Sequence, residues 1–113
     1  MSLEYEEIYV MIVDCHAHIG EGNQFLEYWW NISLTPELIL KLDDQAQVEK
    51  TVIFPCHYKD YSIGNREVAA AVKKYPARFI PFAKVNCSDP NAVNHLVEAV
   101  EKLGAKGIKM HSG

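Results

Sequence analysis

The chain has 113 residues, 49% of them apolar and 23% charged, with a net charge of −4. This is the balance of one ordinary globular domain with a core of its own. It carries no basic footprint for nucleic acid and no basic amphipathic helix for a membrane surface. Its longest apolar runs are too short to span a bilayer. The first residues are acidic and aromatic, unlike a secretory leader, and residues 1–10 read as a tag or an extended N-terminus, with Met1 and Met11 both open as the native start. Three widely spaced cysteines, Cys15, Cys56 and Cys87, do not form a disulfide pattern. They are expected as buried or half-buried thiols of a reducing, cytoplasmic compartment.

The first predicted strand is Tyr9 to Cys15, "YVMIVDC", rich in apolar and β-branched residues. Directly after it, "VDCHAHIG" places His16 and His18 two residues apart. In extended chain, side chains at i and i+2 share a face, so His16 and His18 project together, with Asp14 beside them. Two imidazoles at the carboxyl end of a buried strand suit a transition metal, and parallel sheets keep their sites at that end. The bland alternative is a pair of strand-end histidines facing water. Asp14 is either an orienter of a ligating histidine or a plain strand-end acceptor.

The connection from Ile19 to Leu34 is long and leaves the histidines directly, and Trp29 and Trp30 either cover a pocket or pack on the sheet end. Thr35-Pro36-Glu37 then gives a cap, a first-turn proline and an acidic residue for a helix reaching about Val48. The second strand is Lys50 to Pro55. Cys56 and His57 follow it and either line a pocket or are loop residues. Asn65 or Gly64 precedes the second helix, "REVAAAVKKY", which stops before Pro76.

The third strand is Phe79 to Val85, although Pro81 removes a ladder donor, and Asn86 after it suits a turn. Asp89-Pro90 repeats the cap-and-proline signal before the third helix. In that helix Val93, Leu96, Val97, Val100 and Leu103 form one apolar face, His95 lies off it toward solvent, and Gly104 is the stop. The fourth strand is Gly107 to Met110, and Lys109 and His111 repeat the i, i+2 arrangement at its end. The order β-α-β-α-β-α-β predicts an α/β fold of parallel units with right-handed crossovers.

"VDCHAHIG" resembles the first-strand His-x-His motif of the amidohydrolase superfamily. "ARFIPFAKVN" and "LGAKGIKMH" resemble its amidohydrolase-related (amidohydrolase 2) branch of metal-dependent TIM-barrel enzymes. The resemblance covers nearly all of residues 11–113. It implies the first half of a (β/α)8 barrel, with His16 and His18 as ligands of a divalent metal, most often zinc. Lys109 and His111 become candidates for the catalytic site. In some branches a carboxylated fourth-strand lysine bridges two metals; in this one it normally does not, and Lys109 is open as a bridge, a substrate-contacting or structural lysine, or a plain exposed lysine.

The implied function is a metal-dependent hydrolase acting on a small amide, ester or lactone. The alternatives are a non-oxidative decarboxylase of the same branch and a non-catalytic metal-binding half-barrel. A full barrel takes about 250 residues. The family's further histidine and late aspartate lie from the fifth strand onward. A four-stranded half exposes two edges and an apolar inner face. It is therefore expected to be a partial chain that self-associates, two copies closing one barrel, or a sheet covered by a neighbour.

Overall fold

The computed structural model describes residues 10–20 and 33–110. His111, Trp29 and Trp30 lie outside the described residues, as does the Tyr9 start of the first predicted strand. Four strands and three helices alternate: β1 Val13–Ile19, α1 Pro36–Ala46, β2 Lys50–Pro55, α2 Tyr61–Lys74, β3 Phe79–Lys84, α3 Ala92–Glu101 and β4 Gly107–Lys109. They build one parallel sheet in the order β1-β2-β3-β4, the predicted α/β architecture.

Residues on alternate sides of the strands meet different surroundings. Ile19, Ile53 and Phe79 pack with Ile39 of α1 and with Val68 and Ala71 of α2, forming the core on the helix-covered side. Thr51, also fully buried, donates from Oγ1 to the Asp43 carboxylate of α1 at 2.5 Å. His18, Phe54, Phe82 and Lys84 therefore belong to the opposite, inner face.

Several boundaries differ from the sequence expectation, each for a physical reason. β1 starts at Val13 because β2 offers its first partner there, Lys50, and it continues through both histidines because Phe54 and Pro55 extend the ladder to His18 and Ile19. α2 begins at Tyr61, ahead of Gly64. Its cap is Asp60, whose Oδ1 accepts from Ser62 N–H at 2.9 Å. Gly64 is instead a close-packing residue inside the helix, where a Cβ would stand 2.6 Å from Pro55 Cβ and 2.8 Å from Tyr58 Cδ2.

Asp89 forms a turn rather than a helix cap, accepting from Asn91 N–H, and α3 starts at Ala92. α3 also turns differently from its predicted stripe. Ala99 is buried, while Val93, Val97 and Val100 are exposed at 71%, 46% and 51%. The small Ala99 lets the helix approach β3 closely, with Ala83 lining the same crevice. His95 is accordingly largely covered, with Nε2 3.5 Å from Asp60 and Nδ1 3.9 Å from Asp89. Pro81 sits in β3 without cost to the ladder, because pairing with β4 begins one residue later, at Phe82 with Gly107. Cys15 and Cys87 are exposed and Cys56 is half-buried, so the expectation of shielded thiols fails for the first two.

Asn65 joins the helical layer to the sheet. Its Oδ1 accepts from Lys84 N–H at 2.9 Å and its Nδ2 donates to the Lys84 carbonyl at 3.0 Å, both in buried surroundings. Replacing a partner of two buried hydrogen bonds leaves the β3 terminus unsatisfied. Asn65→Ala is predicted to lower the unfolding free energy by about 2–3 kcal/mol in urea titrations. A loss below about 0.5 kcal/mol would show that water replaces the side chain.

Candidate metal centre

A β-bulge shapes the site. Asp14 pairs with Thr51 and Ala17 with Ile53, so β1 spends one more residue than β2 between those points. Asp14 thus registers with a residue whose side chain faces α1. Its Oδ1 accepts from His16 N–H at 2.9 Å. Of the two roles open for Asp14, the structure supports the strand acceptor, bracing the bulge backbone rather than an imidazole.

Beyond the bulge the imidazoles converge. His16 Nε2 and His18 Nε2 are 3.3 Å apart. His18 Nδ1 lies 3.1 Å from the Pro55 carbonyl, which can only accept, so Nδ1 carries the proton and Nε2 presents its lone pair. Phe54, 2% exposed, stands edge-to-face against both rings, with centroids 4.9 Å from His16 and 4.7 Å from His18. Burial, then the neighbouring charges of Lys84, His16 and Lys109, lower the His18 pKa, against an opposing pull from the Pro55 carbonyl. The neutral imidazole is the form that binds a metal.

This donor set fits a divalent cation. Two nitrogens each about 2.05 Å from a tetrahedral zinc stand about 3.3 Å apart, which is the separation of the two Nε2 atoms. A backbone carbonyl on the opposite ring nitrogen is the usual orienting partner of a ligating histidine. No third His, Cys, Asp or Glu among the described residues completes a metal-binding group with the pair.

The other candidates separate clearly. Lys109 joins the cluster, with Nζ 5.7 Å from the centre of the Phe54 ring. His57 is engaged elsewhere, Nδ1 lying 3.4 Å from the Tyr61 hydroxyl. Cys56 closes the strand ends, its N–H donating to the Ile19 carbonyl and its Sγ to the Gly20 carbonyl at 3.7 Å. Asn86 forms the expected turn, accepting from Ser88 N–H.

Two residues were missed by sequence reasoning. Phe54 is the apolar wall of the histidine pair, and Lys84 is a 1% exposed lysine whose Nζ has no hydrogen-bond partner among the described residues. The signal for Lys84 was the alternation Ile80, Phe82, Lys84, which continues an inward-facing row into a charge.

No protein family and no curated protein matches the chain by sequence. Solved structures do match in fold. A probable 2-pyrone-4,6-dicarboxylic acid hydrolase from Acinetobacter baumannii, with citric acid bound, superposes with a TM-score of 0.64 at 19% identity, over 88% of this chain and 37% of its own. An amidohydrolase II superposes with a TM-score of 0.71 at 16% identity, over 88% and 40%. The 2,6-dihydroxybenzoate decarboxylase from Rhizobium gives 0.66 at 20% identity, over 87% and 37%. The fold is that of the first half of a TIM barrel. The chain spans about two fifths of the length of the structures it resembles.

Gly20 follows β1 with φ +112°, and an added Cβ would meet Glu67 Oε2 at 2.2 Å and the Tyr58 hydroxyl at 3.0 Å. Tyr58 itself donates to Glu67 at 2.6 Å. Gly20→Ala is predicted to destabilise the chain by more than about 1 kcal/mol in chemical denaturation, through strain and displacement of this pair. An unchanged midpoint would show that the strand end relaxes freely.

Proposed function

We propose that this chain carries the first two metal ligands of a metal-dependent hydrolase of the amidohydrolase-related family. The observation that carries the reading is the meeting of His16 Nε2 and His18 Nε2 on one inner-face point, with the His18 tautomer set by Pro55. The fold likeness to hydrolase and decarboxylase structures supports it, as does the position of the pair at the carboxyl ends of parallel strands.

A divalent metal, most often zinc in enzymes of this kind, acidifies a bound water and polarises a scissile carbonyl. The residues of this chain hold and shape the place for that chemistry. His18 keeps its proton on Nδ1, directed to Pro55. His16 is placed by the bulge that Asp14 braces. Phe54 excludes water from one side of both rings. Lys109, close to the same ring, is assigned to substrate contact; His111, the other candidate from the sequence, lies outside the described residues. Further ligands and the proton-transferring carboxylate are assigned to groups beyond the described residues, whether in additional polypeptide or in a second copy of the chain. The substrate is a small amide, ester or lactone.

The decarboxylase likeness keeps one second reading specific: carbon dioxide release from an unsaturated or aromatic acid on the same centre. Product analysis separates the two, net addition of water against release of carbon dioxide.

The metal step is tested by calorimetric titration with zinc. The chain is expected to bind the ion, and His16→Ala and His18→Ala each to weaken binding by more than about 100-fold. Binding unaffected by both substitutions would overturn the reading.

A further inference from the structure

A buried lysine is costly unless its ammonium meets an anion or an acceptor. Lys84 breaks that rule. It is 1% exposed and, among the described residues, its Nζ has no hydrogen-bond partner. Its Nζ lies 5.1 Å from the centroid of the Tyr61 ring. The backbone on both sides of the side chain is fixed by Asn65, so β3 holds the lysine in place.

The register adds a second cation. Lys84 is the direct strand partner of Lys109, and paired residues of neighbouring strands point to the same face. Lys109 Nζ lies over Phe54, whose ring touches both imidazoles. Two lysines and two histidines are thus gathered at one end of the inner face, with no acidic partner hydrogen-bonded to Lys84 among the described residues. Burial lowers the Lys84 pKa; the Cys56 thiol opposes the shift and Lys109 adds to it. Arranging like charges side by side works against folding, which favours a ligand that neutralises them. The half-buried Ile80 and Phe82 precede Lys84 in the same inward row, so an apolar body can lie next to the charges.

We propose that Lys84 and Lys109 form a binding subsite for a carboxylate carried on an apolar body, adjoining the His16–His18 pair. It deepens the metal-hydrolase reading, since it would hold the substrate's carboxylate beside the metal, yet it stands on different atoms. Lys84 supplies the buried ammonium and Lys109 the second positive charge, while Ile80 and Phe82 accept the apolar portion.

The test is an NMR shift titration of the full chain with benzoate, in the presence of a chelator so that no metal contributes. Benzamide serves as the neutral isostere and inorganic phosphate as the alternative anion. Benzoate is expected to bind at millimolar concentration, with benzamide and phosphate at least about tenfold weaker. Lys84→Met and Lys109→Met are each expected to weaken benzoate at least about tenfold, and Lys84→Arg to stay within about threefold of the parent. Lys84→Met is also expected to match or exceed the parent in thermal stability, because it removes an unpaired buried charge.

Benzoate binding unchanged in both methionine variants, or equal binding of benzamide, would overturn the proposal. Preferential binding of phosphate would overturn the carboxylate assignment. If Lys84→Met fails to fold, Lys109→Met and Lys84→Arg decide. Loss of zinc binding with benzoate binding retained refutes the metal reading and leaves the subsite standing; the reverse pattern refutes only the subsite.

Discussion

The hydrogen bond between His18 Nδ1 and the Pro55 carbonyl ties the candidate chemistry to the sheet. It needs β1 and β2 in one register, with His18 beside Phe54 and Ile19 beside Pro55. A slip of one residue would turn the imidazoles toward the helices and Ile19 away from its core. Ile19, buried with Ile53, Val68 and Ala71, therefore guards the orientation of His18 from the other side of the sheet. Hydrophobic burial on one face fixes polar geometry on the opposite face.

The two faces of the sheet are built to different ends. The helix-covered face is apolar, and its polar members are paired, as Thr51 is with Asp43 and Asn65 with the Lys84 backbone. The inner face gathers imidazoles, ammonium groups and aromatic edges around Phe54. Stability comes mainly from the first face. The second holds a buried ammonium with no hydrogen-bond partner among the described residues and two imidazole Nε2 atoms 3.3 Å apart, features that favour ligands. Local departures from consistent patterning are expected where a site is built.

Much of the architecture was legible in the sequence because it rests on local signals. The alternation of apolar runs with capped helices gave the parallel order, and Thr35-Pro36 marked α1 correctly. β2 was read without error because the apolar run Val52–Pro55, with β-branched Thr51 before it, marks the strand. What depends on pairing was not legible. The bulge that separates Asp14 from the histidine face has no composition signature. The end of β1 is set by β2, and the placement of Lys84 next to Lys109 is a matter of register between strands far apart in sequence. The α3 face was misjudged because its valines outweigh Ala99 in hydrophobicity, while packing distance favours the small residue.

Both Nε2 atoms of the pair are directed at one point, with His18 held in its Nδ1–H tautomer. Long-range proton–nitrogen NMR on imidazole-labelled protein reads this directly. Metal-free protein is expected to show an Nδ1-protonated neutral His18 near neutral pH, and zinc to shift the His16 and His18 Nε2 resonances together. An Nε2-protonated His18, or a shift confined to one of the two rings, would contradict it.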